Sequence, residues 1–189
     1  PRPSRDTCPS ASTLTSHVPL PSMSPKPSWS AWSVEVFRYR EPLAVAPLVR
    51  PSALVLVNAM PPTPLHSMLP AREAYPAVIP WGSEASLAGT RNAMPDADDA
   101  ACLYAFRRWR DDSGAVMNAA RAGAEVARPP CPVLVMASEL DEDVPVAASV
   151  ALAEMLGASL IRVAGASHVG PLLGRGAAGC ASQAIAWLS

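Results

Sequence analysis

The chain has 189 residues, 15 basic and 16 acidic side chains, a net charge of -1 and 50% hydrophobic residues. That length is enough for one domain with its own core. The balanced charge argues against nucleic acid as a main partner, because phosphate binding wants a basic excess. No uncharged apolar run reaches the roughly 18 residues that a membrane span needs, and no charged-then-apolar start marks a secretory signal.

The four cysteines, Cys8, Cys102, Cys131 and Cys180, contain no C-x-x-C pair. A structural zinc site and a thioredoxin-type motif are not expected, and reduced thiols in a cytosol are. The 15 basic residues include a single lysine, Lys26. Arginine, alanine and proline have G+C-rich codons, so the skew reads as a GC-rich coding sequence.

Residues 1–34 hold 7 Pro and 9 Ser and no hydrophobic period. Such a stretch buries too little apolar surface to offset its ordering entropy, so residues 1–40 are expected to be low-complexity and disordered. Ala53 to Val57 is then a continuous apolar run, closed by Asn58 and by Pro61-Pro62. A run of this kind suits a strand buried on both faces of a parallel sheet.

Residues 60–128 read as a helical insertion. It starts loose and Pro-rich, and continues with a helix over 98–110 carrying Cys102, Leu103, Phe106 and Trp109 at helical spacing. A second helix is predicted over 114–126. A second buried strand, Val133 to Ala137, follows Pro132, and a third covers Leu160 to Val163. Between them Val146 to Leu156 is helical and stops at Gly157. Ala177 to Leu188 is a closing helix with Ala181, Ala184, Ile185 and Leu188 predicted on its buried face. The order is that of an α/β fold with parallel strands.

Ligand sites in open parallel sheets lie at the carboxyl ends of strands. Ser138 to Pro145, with Glu139, Asp141, Glu142 and Asp143, follows one strand; Ala164 to Pro171, with His168, follows the next. A carboxylate and an imidazole 27 residues apart thus reach one edge of one sheet. A buried carboxylate beside an imidazole fixes its tautomer and stabilises its charged form, as a general base requires. The acidic cluster is equally readable as a solvated loop at a helix N-terminus. It lacks the spaced ligands of a calcium loop. His66 is read as a surface residue of the Pro-rich stretch and His17 as part of the tail. Trp81, Trp109 and Met94 are read as pocket or core residues.

The pattern resembles the C-terminal portion of an α/β-hydrolase. In that family the acid loop reads G-x-x-D-x-x-V-P, which Ser138 to Pro145 matches with Ser for Gly. The histidine follows a turn like Gly165-Ala166-Ser167-His168. The resemblance covers about residues 50–189. It implies a partial parallel sheet, a cap over residues 60–128, Asp141 as catalytic acid and His168 as catalytic base. It also implies a small ester-like carbonyl substrate and no metal or organic cofactor.

The family's nucleophile elbow, G-x-S-x-G, is missing. Ser33 stands near the expected place, but Ala31 and Glu35 occupy the cramped positions of the glycines. Residues 1 to about 40 therefore read as an out-of-frame translation of a hydrolase gene. A sheet without its first strands is expected to expose an edge and favour aggregation. The alternative reading is a non-catalytic, degenerate hydrolase fragment or interaction protein.

Overall fold

A computed structural model describes residues 41–189. The expectations for residues 1–40, including those for Ser33, His17 and Cys8 and for the reading-frame break, lie outside the described residues.

The described chain opens with α1 (Glu41–Val49) and β1 (Leu54–Val57). The insertion follows: a 3-10 turn at Leu65–Met68, β2 (Val78–Ile79), α2 (Leu87–Ala93), α3 (Asp99–Phe106), β3 (Asp112–Ser113) and α4 (Gly114–Arg121). The remainder is β4 (Val133–Ser138), α5 (Val146–Leu156), β5 (Ser159–Val163), α6 (Gly170–Leu173) and α7 (Ala177–Leu188). This is the expected α/β order.

β1, β4 and β5 form a parallel sheet in the order β1-β4-β5, with Val135 of β4 opposite Leu56 on one side and Leu160 on the other. All six residues of β4 are buried. Alternate side chains of a strand point to opposite faces, and here each face meets its own helix. Val133 and Val135 pack with Leu152, Ala153 and Leu156 of α5. Leu134 and Met136 pack with Cys180, Ala184 and Trp187 of α7. Burying each such side chain contributes about 1.5–3 kcal/mol, so β4 is the centre of the core. Burial also pushes the Cys180 thiol above its ordinary pKa.

The expectation of burial on both faces is met by β4 and corrected for β1, where only Leu56 is buried. Among the described residues β1 pairs with one strand only, β4. β5 lies at the other edge of the sheet formed by the described strands and is largely exposed.

α5 has the expected bounds. Gly157 ends it at φ 61°, ψ 39°, a left-handed conformation that glycine adopts without penalty. α7 also has its expected bounds, but its buried face is shifted. Ala184 packs inward as expected, now beside Cys180 and Trp187, whereas Ala181 is exposed and Ile185 is 64% exposed. The large Trp187 ring decides the orientation, and its indole N–H donates to Ser159 Oγ at 3.0 Å.

The insertion is helical as expected, with shorter helices. Asp98 caps α3 by accepting from the Ala101 N–H at 2.8 Å. Cys102 and Ala105 form its buried face, while Leu103 is exposed. α4 stops before Gly123, whose φ is 77°. The antiparallel pair β2–β3, with two residues in each strand, and helix α2, with seven residues and a Ser86 cap, are too short to show a hydrophobic period in the sequence. No helix among the described residues is long and apolar enough to cross a membrane.

Candidate active site

β4 and β5 end side by side, with Ser138 opposite Val163. Hydrogen bonding continues past the strand ends: Glu139 N–H donates to Val163 O at 3.1 Å and Leu140 N–H to Ala166 O at 3.0 Å. An Arg162–Glu139 ion pair of 2.9 Å lies alongside. The acid loop and the histidine loop are therefore joined before either reaches its functional side chain.

Asp141 and His168 meet. Asp141 Oδ2 lies 2.8 Å from His168 Nδ1, with the carboxylate side chain 0% exposed and the imidazole 24%. The other oxygen, Oδ1, accepts the N–H groups of Asp143 at 2.8 Å and Val144 at 2.9 Å. A carboxylate only accepts hydrogen bonds. The proton between the two side chains therefore sits on Nδ1, and Nε2 is the basic atom of the ring. The solvated-loop reading does not describe Asp141. It fits Glu142, which is exposed, whereas Asp143 pairs with Arg72 at 2.7 Å. Burial opposes the Arg72 charge, but Asp143 and Tyr75 outweigh it and hold this guanidinium above its ordinary pKa.

Donor atoms of Asp141, Asp143 and His168 lie within 4.8 Å of one another, close enough to hold a cation. Each is already engaged: Asp141 by two backbone N–H groups and the imidazole, Asp143 by Arg72. A cation would have to displace a paired arginine, so the donor set suits a hydrogen-bonded pair better than a metal.

Two further residues fix His168, and neither was foreseen as functional. Asn58, expected only to close β1, is buried with φ 46°. Its Nδ2 donates to His168 O at 2.6 Å and to Ser138 Oγ at 2.8 Å, and its Oδ1 accepts the Ser138 N–H at 2.8 Å. This explains the serine at position 138, where the family pattern has glycine: its hydroxyl completes the Asn58 clamp. Asp96, from the turn between α2 and α3, accepts from Ser167 N–H at 3.0 Å and from Ser167 Oγ at 2.6 Å. For Asn58 the available signal was a short polar side chain tolerant of positive φ at a strand end. For Asp96 no local signal existed.

His168 lines a cavity of about 560 Å³. Trp81 and Trp109, read from sequence as pocket or core residues, line it too. Met94 instead packs in the cluster of Cys102, Ala105 and Val169. His66 corrects its surface reading: it is half-buried, with Nδ1 enclosed and without a hydrogen-bond partner among the described residues.

A parallel sheet with an acid and a histidine on consecutive strand-end loops, and a helical insertion before β4, has the fold of the α/β-hydrolases. Solved structures of that fold agree. The chain is similar to E-2-(acetamidomethylene)succinate hydrolase, with 16% identity, a TM-score of 0.52, and coverage of 77% of this chain and 62% of that one. It is similar to polyneuridine aldehyde esterase at 15% identity and a TM-score of 0.50, covering 73% of this chain and 63% of that one. The chain thus spans less than two thirds of the length of these structures. No protein-family model and no curated protein matches the sequence.

Proposed function

We propose that the chain carries the acid–base part of a hydrolase site for a small ester-like carbonyl substrate, with His168 as general base and Asp141 as its orienting carboxylate. The observation that carries this reading is the 2.8 Å contact between His168 Nδ1 and the buried Asp141 Oδ2, beside a cavity. In this reading Nε2 takes the proton of the attacking hydroxyl, from a side chain or from water, and passes it to the departing alkoxide. The bond to the leaving oxygen breaks, and water is consumed to give acid and alcohol. Residues 60–128 serve as the cap, with Trp81 and Trp109 walling the cavity. No metal or organic cofactor enters the scheme. Free thiols at Cys102, Cys131 and Cys180 suit a reducing cytosol.

The test is hydrolysis of p-nitrophenyl acetate by the full chain. His168→Ala is expected to reduce it to the rate of the blank, and Asp141→Asn to lower kcat by about 10²–10⁴-fold through loss of the productive tautomer. Activity that survives His168→Ala would remove the reading. A second reading, a non-catalytic hydrolase fold, is favoured by the missing G-x-S-x-G motif. Folded protein with no activity above the blank would select it.

A further inference from the structure

Arg121 follows Met117 by four residues on α4, which places both on one helix face. Both line the cavity beside His168. Arg121 is half-buried, and one guanidinium nitrogen donates to the Pro70 carbonyl oxygen. Among the described residues no carboxylate pairs with it. A guanidinium has five N–H donors, so most of them stay available.

The other charges of the cavity are accounted for. Arg72 is neutralised by Asp143 at 2.7 Å. His168 is committed to Asp141. Glu84 is exposed, where water and salt screen it. Much of the remaining wall is apolar, including Met60, Ile79, Trp81 and Trp109. A partly desolvated cation without a counter-ion is unfavourable until an anion completes it.

We infer that this cavity takes a substrate with an apolar body and one carboxylate, and that Arg121 binds the carboxylate. The inference rests on the hydrolase reading and names its substrate class. A volume of about 560 Å³ falls within the range of small-molecule sites, about 300–1,000 Å³. Aromatic and methionine walls suit an aryl or short alkyl body. Arginine suits the carboxylate because its planar fork matches two oxygens at once.

The experiment measures binding rather than turnover. The full chain is titrated with 4-phenylbutyrate and with its neutral analogue 4-phenylbutyramide, following tryptophan fluorescence. The acid is expected to bind at least about 10-fold more tightly than the amide. Arg121→Gln is expected to bring the two affinities within about twofold, with amide binding retained. Equal binding by the unaltered chain overturns the inference. So does a preference that survives Arg121→Gln, or no saturable binding of the acid at millimolar concentration. Because Arg121→Gln also removes the bond to Pro70, a second measurement leaves the sequence unaltered. Phenylglyoxal modification of Arg121, mapped by mass spectrometry, is expected to be blocked by the acid and not by the amide. Equal modification under both overturns the inference. A carboxylate preference without ester hydrolysis would leave the ligand class standing and remove the hydrolase reading. Hydrolysis without the preference would do the reverse.

Discussion

Asp96, in the turn between α2 and α3, accepts two hydrogen bonds from Ser167, the residue immediately before His168, at 3.0 Å and 2.6 Å. Its backbone carbonyl accepts the Arg175 N–H at 3.0 Å. One side chain of the insertion thus holds the histidine loop just before His168, and its backbone holds the chain just beyond α6. Asp96→Ala leaves the Ser167 N–H and hydroxyl without their partner. Hydrogen bonds to a charged group contribute about 1.5–3 kcal/mol, so a loss of that size is expected. Urea denaturation checks it: the midpoint should fall while the m-value stays the same.

Gly170 makes room for that carboxylate. A Cβ at Gly170 would lie 2.0 Å from Asp96 Oδ2, and one at Gly174 would lie 2.8 Å away. Gly170→Ala is therefore expected to destabilise by at least about 1–3 kcal/mol, the usual cost of overpacking. The double variant Gly170→Ala with Asp96→Ala should cost less than the sum of the two single changes. Thermal denaturation of the four proteins in a double-mutant cycle measures the coupling. Additive effects would mean that the alanine finds room elsewhere.

Asn58 combines a backbone requirement with a side-chain one. Its φ of 46° disfavours most residues, and its amide serves both Ser138 and the His168 carbonyl. Asn58→Gly keeps the backbone free to turn and removes only the amide. Because buried donors and acceptors are then left unsatisfied at about 1–3 kcal/mol each, Asn58→Gly should be nearly as damaging as Asn58→Ala. Guanidinium denaturation of the two variants separates the contributions. A nearly neutral Asn58→Gly would assign the role to the backbone instead.

Asp111 gives a pH dependence of known sign. It accepts from the Ser83 N–H and hydroxyl and from the Gly82 N–H at 2.7–3.0 Å, and these bonds lower its pKa in the folded chain. A carboxylate with a depressed folded pKa contributes stability above its unfolded value, and that contribution fades as pH falls through the folded pKa. The window therefore opens below about pH 4. Melting temperatures of the native chain and of Asp111→Asn should differ at neutral pH and converge in acid.

Much of the framework was legible along the chain. Val133 to Ala137 reads as a buried strand because its residues are apolar without interruption, and the structure buries every residue of β4. Gly157 ends α5 where expected because a left-handed turn needs a residue without a Cβ. Asp141 and His168 could be paired in advance because each stands just beyond a strand end, and parallel neighbours bring such ends together.

Side-chain orientation was less legible. α7 carries apolar residues around much of its circumference, so Ile185 and Trp187 compete for the core. Trp187, the larger of the two, packs inward against the cluster of Leu134, Met136 and Cys180. β1 reads as strongly apolar as β4, yet it pairs with one described strand and stays half-exposed.

Apolar runs, a helix-stopping glycine and two strand-end loops determined the elements and the candidate pair, because these signals act over a few neighbouring residues. The clamp on His168 was decided by tertiary structure alone. Asn58 lies 110 residues from His168, and Asp96 lies 71 residues from Ser167. A hydrogen bond across such a separation depends on where two backbones come to rest, and nothing in the residues flanking either partner encodes that meeting.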